Sequence, residues 1–208
     1  MPHTTTLNRD AMTAGTEDKA ASASAAGATL RRIAIVGTTG SGKSVLAGRL
    51  ARQLSLPAIE LDALFWLPEW QPALPELFQH RVEIATSGET WIIAGIYGQV
   101  RKLVWGRADT LIWLDFPLPV VLWRLLRRTF ARAVRREELW GTGNRESWRR
   151  AFFSRDSILL WALKTHRRNR ARFRAEIDGG AYAPLDVLVF RSPSDLRRWL
   201  RDVAPARG

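Results

Sequence analysis

Gly37-Thr38-Thr39-Gly40-Ser41-Gly42-Lys43-Ser44 is the stretch of this chain whose residue types and spacing point most directly to a chemistry. Its glycines let the backbone turn successive N–H groups inward around an anion, and a helix starting at its end adds positive potential. Lys43 is then placed to neutralise β- and γ-phosphate oxygens, and Ser44 to offer its hydroxyl to Mg²⁺. The octet lies between the apolar run Ile33 to Val36 and a helix-like stretch from Lys43 to Leu54, the strand-loop-helix context that a phosphate-binding loop requires. At background residue frequencies such a pattern arises by chance in a chain of this length less than about once in a hundred.

A metal ion on Ser44 needs a carboxylate nearby, usually at the C-terminal end of a neighbouring strand. The run Trp91-Ile92-Ile93-Ala94 ends on alanine, whereas Thr110 to Leu114 is followed by Asp115 and Ala58 to Leu61 by Asp62. Asp115 matches the run-then-acid pattern best and is the expected metal ligand beside Ser44; a helix cap ahead of Pro117 is its other reading. Asp62 opens Leu61-Asp62-Ala63-Leu64-Phe65-Trp66-Leu67-Pro68-Glu69-Trp70. A carboxylate just outside the carboxyl end of a strand faces the ligand crevice of an open α/β sheet. Asp62 is therefore expected to accept a proton from a substrate hydroxyl, with Trp66 beside the acceptor, or else to cap a loop over a packed aromatic cluster. Arg101, after Tyr97-Gly98-Gln99-Val100, stands where a donor to the acceptor substrate belongs, or is an ordinary surface arginine.

The net charge of +12 is concentrated. Residues 124 to 174 hold 16 Lys or Arg against 4 acids, which is the whole excess, and such a block reads as a surface for phosphates on a nucleotide or a nucleic acid. On a helix from Pro117 to about Arg136, 100° steps put Arg124, Arg128 and Arg135 on one face and Leu122, Leu126, Thr129 and Ala133 opposite, so that the second face is expected to pack. Beyond it, residues 137 to 155 carry Gly141, Gly143 and Asn144, then Arg145, Arg149, Arg150 and Arg155. An Arg-rich, glycine-bearing connection between helices suits a lid that closes over transferring phosphates. With no cysteine and only His3, His80 and His166, disulfides, thiol catalysis and a His- or Cys-based metal centre are excluded or disfavoured.

These residues need a scaffold. Short buried-type runs at Ile33 to Val36, Ala58 to Leu61, Trp91 to Ala94, Thr110 to Leu114 and Asp186 to Phe190 alternate with helical patterns at Glu76 to Thr86, Asp156 to Arg174 and Ser194 to Val203. That alternation predicts a parallel sheet covered on both faces in one domain, residues 30 to 208. Residues 1 to 29, rich in Ala, Ser, Thr and Gly, are expected to form a disordered extension. Acids at Asp10, Glu17 and Asp18 do not suit a secretory signal, so a cytoplasmic protein is the default expectation.

With these residues assembled, the chain resembles P-loop kinases of the adenylate-kinase-like superfamily, and most of all the bacterial group labelled DNA topology modulation or adenylate-kinase-related ATP-binding proteins. The resemblance covers about residues 31 to 203. It rests on the phosphate loop, on Leu61-Asp62-x-Leu64-Phe65-Trp66-x-Pro68-x-Trp70, on Trp91-Ile92-Ile93-x-Gly95-x-Tyr97, on Ala108-Asp109-Thr110 leading into Leu111-Ile112-Trp113-Leu114-Asp115-x-Pro117, and on Arg124 and Arg128. It implies a five-stranded parallel sheet in the order 2-3-1-4-5, a helical Arg-rich lid, and contacts of Arg124 and Arg128 with adenine and phosphates. Relatives typically read Trp-Ile-Ile-Asp-Gly-Asn-Tyr where this chain has Ala94 and Ile96, so the usual strand carboxylate is missing and Asp62 or Asp115 must substitute, or transfer is slow.

The expectation is thus an α/β three-layer P-loop domain that binds ATP and Mg²⁺ and transfers the γ-phosphoryl to a small acceptor, a nucleotide among the candidates. Gly37, Thr38, Thr39, Gly40, Ser41, Gly42, Lys43 and Ser44 hold the nucleotide with Arg124 and Arg128. Lys43, Asp62, Arg128 and Arg145 are the expected catalytic residues, Asp62, Trp66 and Arg101 the acceptor-binding ones, and Ser44 and Asp115 the metal ligands. The alternatives are a nucleic-acid-associated ATP-binding protein and a nucleotide sensor with little turnover.

Overall fold

The apolar runs pair side by side, all parallel, and their pleat sorts each strand's residues between two cores. The computed structural model describes residues 30–95, 97–135, 138–145, 158–180, 182 and 185–203; the expected N-terminal extension and most of the expected lid lie outside them. In chain order the elements are β1 (Arg32–Gly37), α1 (Lys43–Leu54), β2 (Ala58–Glu60), α2 (Leu61–Phe65), a 3₁₀ turn (Pro68–Trp70), α3 (Pro75–Ala85), β3 (Trp91–Ala94), α4 (Arg101–Arg107) and β4 (Thr110–Leu114). There follow α5 (Leu118–Arg135), β5 (Glu138–Leu139), β6 (Asn144–Arg145), α6 (Ile158–Asp178), β7 (Asp186–Phe190) and α7 (Pro193–Asp202).

Side chains alternate between sheet faces with period two. Ala34, Val36, Ile93, Leu111 and Trp113 point to one face, where they meet Leu61, Phe78, Val82, Val104, Trp105 and Phe173 from α2, α3, α4 and α6. Ile33, Ile35, Ile92, Ala94, Ile112 and Leu114 point to the other, against Leu46, Ala47 and Leu50 of α1, Val121 of α5 and Leu196 of α7. The result is the expected three-layer α/β/α arrangement, with both sheet faces buried.

The sheet order is β2-β3-β1-β4-β7. The expected order 2-3-1-4-5 is corrected at its last position, because the antiparallel pair β5–β6 comes between β4 and the edge strand in the chain. That pair also corrects the expected helical lid: its described part, residues 138–145, is a hairpin, turned by Trp140, Gly141 and Gly143 at positive φ. The segment after β2, read as a loop, begins with α2, and α4 was not anticipated.

The packing face of α5 differs in part from expectation. Thr129 is buried as expected, but it shares that burial with Val121 and Leu125, whereas Leu126 is exposed. The cause is that the arginine row does not face open water but the phosphate loop, so the buried stripe lies beside it, about 60° away at 100° per residue, rather than opposite.

Candidate active site

The phosphate loop joins the end of β1, at the middle of the sheet, to α1. Gly37, Gly40 and Gly42 have φ of 151°, 87° and 99°, a region that side-chain-bearing residues rarely enter. Contact excludes a side chain at Gly40 as well, since a Cβ there would lie 2.9 Å from both the Leu125 Cβ and the Val121 carbonyl oxygen of α5. No side chain caps α1 at Gly42, so the N–H groups of its first turn are left for an anion.

Lys43 arches back over the loop, its Nζ donating to the carbonyl oxygens of Gly37 at 2.9 Å and Thr38 at 3.3 Å. Burial brings its pKa down to about 8, with the Asp62 charge opposing that fall and the Arg128 charge adding to it. Three arginines spaced four apart on α5 run along the same side. Arg124 donates to the Ser41 carbonyl oxygen at 2.8 Å and lies 4.9 Å over the Phe116 ring. The Arg128 charge bears on Lys43, and that of Arg132, which the sequence reading passed over, bears on Glu60.

Asp62 lies in the first turn of α2 and accepts a hydrogen bond from the Tyr97 hydroxyl at 2.7 Å. Trp66 hydrogen-bonds Tyr97 in turn, and burial together with the Asp62 charge pushes the phenol pKa far up, so Tyr97 is a fixed neutral donor. Its ring is clamped by Phe65 and Phe78 at centroid distances of 4.5 and 5.1 Å. Trp66 and Asp62 are therefore brought together through Tyr97.

Ser44 meets a carboxylate that sequence reasoning missed: its hydroxyl donates to Glu60 Oε2 at 2.9 Å. Taking the run as Ala58 to Leu61 made Glu60 an interior strand residue, whereas β2 ends on it. The signal was there in a strand one residue shorter. Asp115 is engaged elsewhere: its side chain is buried and receives Arg170 Nε at 2.7 Å, with Arg174 at 3.9 Å. Among the described residues no three His, Cys, Asp or Glu converge as a metal cage. A hydroxyl and one carboxylate beside a phosphate-binding loop nevertheless fit Mg²⁺, which takes one or two carboxylates and completes its shell with phosphate oxygens and water.

Arg101 is buried between α4 and α6, paired with Glu176 and lying 5.7 Å from the ring centroids of both Trp105 and Phe173. The Arg145 backbone lies in β6, with its side chain outside the described residues, as are Arg149, Arg150 and Arg155. Two further contacts were not foreseen. His166 of α6 reaches back to Thr38, Nδ1 to Oγ1 at 3.2 Å, its pKa lowered by burial and by Arg170. Asn144 of the hairpin clasps the segment that follows α2, accepting from Trp70 N and donating to the Leu67 carbonyl oxygen, both at 2.9 Å.

Neither a family model nor a curated protein sequence matches the chain. Among solved structures it is similar to a shikimate kinase from Bacteroides thetaiotaomicron, with 16% identity over 82% of this chain and 94% of that one and a TM-score of 0.49. It is also similar to a gluconokinase from Sinorhizobium meliloti, with 17% identity, coverage of 83% and 89% and a TM-score of 0.46. A sugar kinase from a Janibacter species gives 18% identity, coverage of 86% and 99% and a TM-score of 0.45. At so loose a superposition, the fold and the site stand on this chain's own sheet order and phosphate loop.

Proposed function

We propose that the chain is a P-loop kinase that transfers the γ-phosphoryl of ATP to a hydroxyl or phosphate oxygen of a small acceptor. The observation that carries this reading is a Tyr97-held carboxylate at Asp62 whose charge bears on Lys43 of the phosphate loop. A phosphate loop that only binds nucleotide needs no carboxylate on its acceptor side; a transferase needs one there.

The roles follow from position. The loop N–H groups and Lys43 hold the triphosphate, Arg124 steadies the loop from α5, and Arg128 adds charge beside Lys43 as the β–γ bridge oxygen becomes a leaving group. Asp62 takes the proton of the acceptor hydroxyl as that oxygen bonds to the γ-phosphorus and the bond to ADP breaks. Tyr97 fixes the carboxylate's orientation, and Trp66 offers the acceptor an aromatic wall. Bound Mg²⁺ would draw charge from the phosphate oxygens. Arg101, tied to Glu176 and packed on Trp105 and Phe173, is spent on holding α4 to α6 instead of reaching the acceptor, and Arg145 on the hairpin is the lid arginine proposed to act on the phosphates. A nucleotide is one acceptor of suitable charge.

An acceptor screen that counts ADP released, over nucleotides, sugars and hydroxy acids, tests the activity. With an acceptor found, Asp62→Asn should lower transfer at least ~10²-fold while ATP affinity stays within a few fold. Tyr97→Phe, which frees the carboxylate without removing it, should lower kcat about tenfold and shift its pH profile. Equal loss of transfer and ATP affinity in Asp62→Asn would make Asp62 a metal ligand, and full activity would make it a helix-turn carboxylate with no part in transfer.

A further inference from the structure

We infer that the metal at this phosphate loop is held between Ser44 and Glu60, a carboxylate at the end of β2, beside a β3 that ends on Ala94. The inference rests on the ATP-binding reading above and specifies its metal site.

The register carries the argument. Glu60 of β2 pairs with Ala94 of β3, and Ala94 with Ile35 of β1, the residue two before the phosphate loop's first glycine. Paired residues of parallel strands project to the same sheet face. Ile35 and Ala94 both pack in the core that contains Leu46, Ala47 and Leu50 of α1, so Glu60 also leaves the sheet on the α1 side. That is where α1 begins, and the Ser44 hydroxyl meets Glu60 Oε2 at 2.9 Å.

An acid at position 94 would project into the same space from β3. Ala94 has no metal donor to offer and is buried in that core. Adjacent strands lie about 4.8 Å apart, and glutamate carries one methylene more than aspartate, which recovers part of the offset. The observed contact with Ser44 closes the remainder. The other two acids at this edge have partners of their own: Asp115 receives Arg170 and Asp62 receives Tyr97. Glu60 instead accepts from the hydroxyl whose expected task is metal binding.

The test is Mn²⁺ binding to the protein–ADP complex, followed by electron paramagnetic resonance, with ADP affinity measured separately by calorimetry in EDTA. Glu60→Gln should weaken Mn²⁺ about 10- to 100-fold, the range seen when a group that orients or holds a metal is removed, and leave ADP affinity in EDTA within about threefold. Glu60→Ala should do the same, which guards against a fault peculiar to the amide. Glu60→Gln combined with Ala94→Asp should regain most of the lost affinity, because the carboxylate returns from the next strand on the same face. Unchanged Mn²⁺ affinity in folded Glu60→Gln and Glu60→Ala overturns the inference and leaves Glu60 a partner of the Ser44 hydroxyl only. Loss in Asp115→Asn in place of the Glu60 variants overturns it in favour of Asp115. A wild-type chain that binds no ADP in EDTA overturns the ATP-binding reading itself.

Discussion

At Lys43 a half-buried ammonium sits on two carbonyl oxygens, and among the described residues no carboxylate pairs with it directly. The cost of that burial appears as its pKa near 8 instead of 10.5. Triphosphate binding supplies the missing negative charge and should return the pKa toward its ordinary value, so binding above pH 8 must take up a proton. ATP affinity is therefore expected to fall about tenfold between pH 7 and pH 9, and Lys43→Arg, which stays protonated, should flatten that dependence. Calorimetry in buffers of different ionisation enthalpy checks it through the proton uptake; a flat wild-type profile would mean that Lys43 is charged throughout. The stability effect has the opposite sense. The unfolded lysine keeps its proton to about pH 10.5 and the folded one only to about 8, so over that window the unfolded state binds more protons and this residue favours the folded protein more as pH rises.

Among elements, the hairpin β5–β6 and the segment from α2 through the 3₁₀ turn behave as one unit. Asn144 is buried and makes both hydrogen bonds across the boundary, and Trp140 meets Trp70 edge-on at 5.9 Å, which in turn meets Trp66 at 5.7 Å. A row of indoles thus links the hairpin to the side chain that bonds Tyr97. Asn144→Ala would leave the Trp70 N–H and the Leu67 carbonyl without these partners, a cost of about 1–3 kcal/mol for such groups when buried. Hydrogen exchange should speed up together over residues 66–72 and 138–145. Thr142→Ala serves as the control, because the Thr142 hydroxyl makes both of its hydrogen bonds within the hairpin, donating to the Leu139 carbonyl oxygen and accepting from the Asn144 backbone N–H. It should loosen the hairpin alone; faster exchange in the hairpin without the 66–72 segment in Asn144→Ala would break the proposed coupling.

For the whole molecule, the basic block between residues 124 and 174 must be divided by what its members touch. Arg124, Arg128 and Arg132 run along the phosphate loop, while Arg170, Arg172 and Arg174 pair with Asp115 and Glu176. Guanidiniums so engaged are poorly arranged to lie along a nucleic-acid backbone. A duplex spread over this block would engage six or more phosphates, and its log affinity would fall against log salt with a slope near −5, at about −0.9 per contact. A nucleotide, with two or three phosphates, should fall far less steeply. Anisotropy of a labelled duplex between about 50 and 200 mM salt separates them. Tight, steeply salt-sensitive duplex binding that survives Lys43→Ala would favour the nucleic-acid reading over the kinase. No helix among the described residues is long and apolar enough to cross a membrane.

The phosphate loop was legible in the sequence because its determinants are contiguous: glycines at the positions that demand positive φ, Lys43 and Ser44 at the head of the helix, and an apolar run before them. The parallel sheet was legible because fully buried strands are written as short apolar runs. What the tertiary structure decided was which side chains meet. Ser44 and Glu60 are 16 residues apart, Asp62 and Tyr97 are 35 apart, Asp115 and Arg170 are 55 apart, and Thr38 and His166 are 128 apart. Local pattern shows that a residue ends a strand or sits on a helix face, but not which strand lies beside it or how their pleats are phased. Asp115 had the right place at the end of its strand and is met by α6, whose docking no motif records. Glu60, one residue inside the expected strand, reaches Ser44 because β2 stands next to β3 in register with Ala94. Strand order and register are set by how the whole chain buries its two apolar faces at once, and that is a property of the packed molecule rather than of any segment.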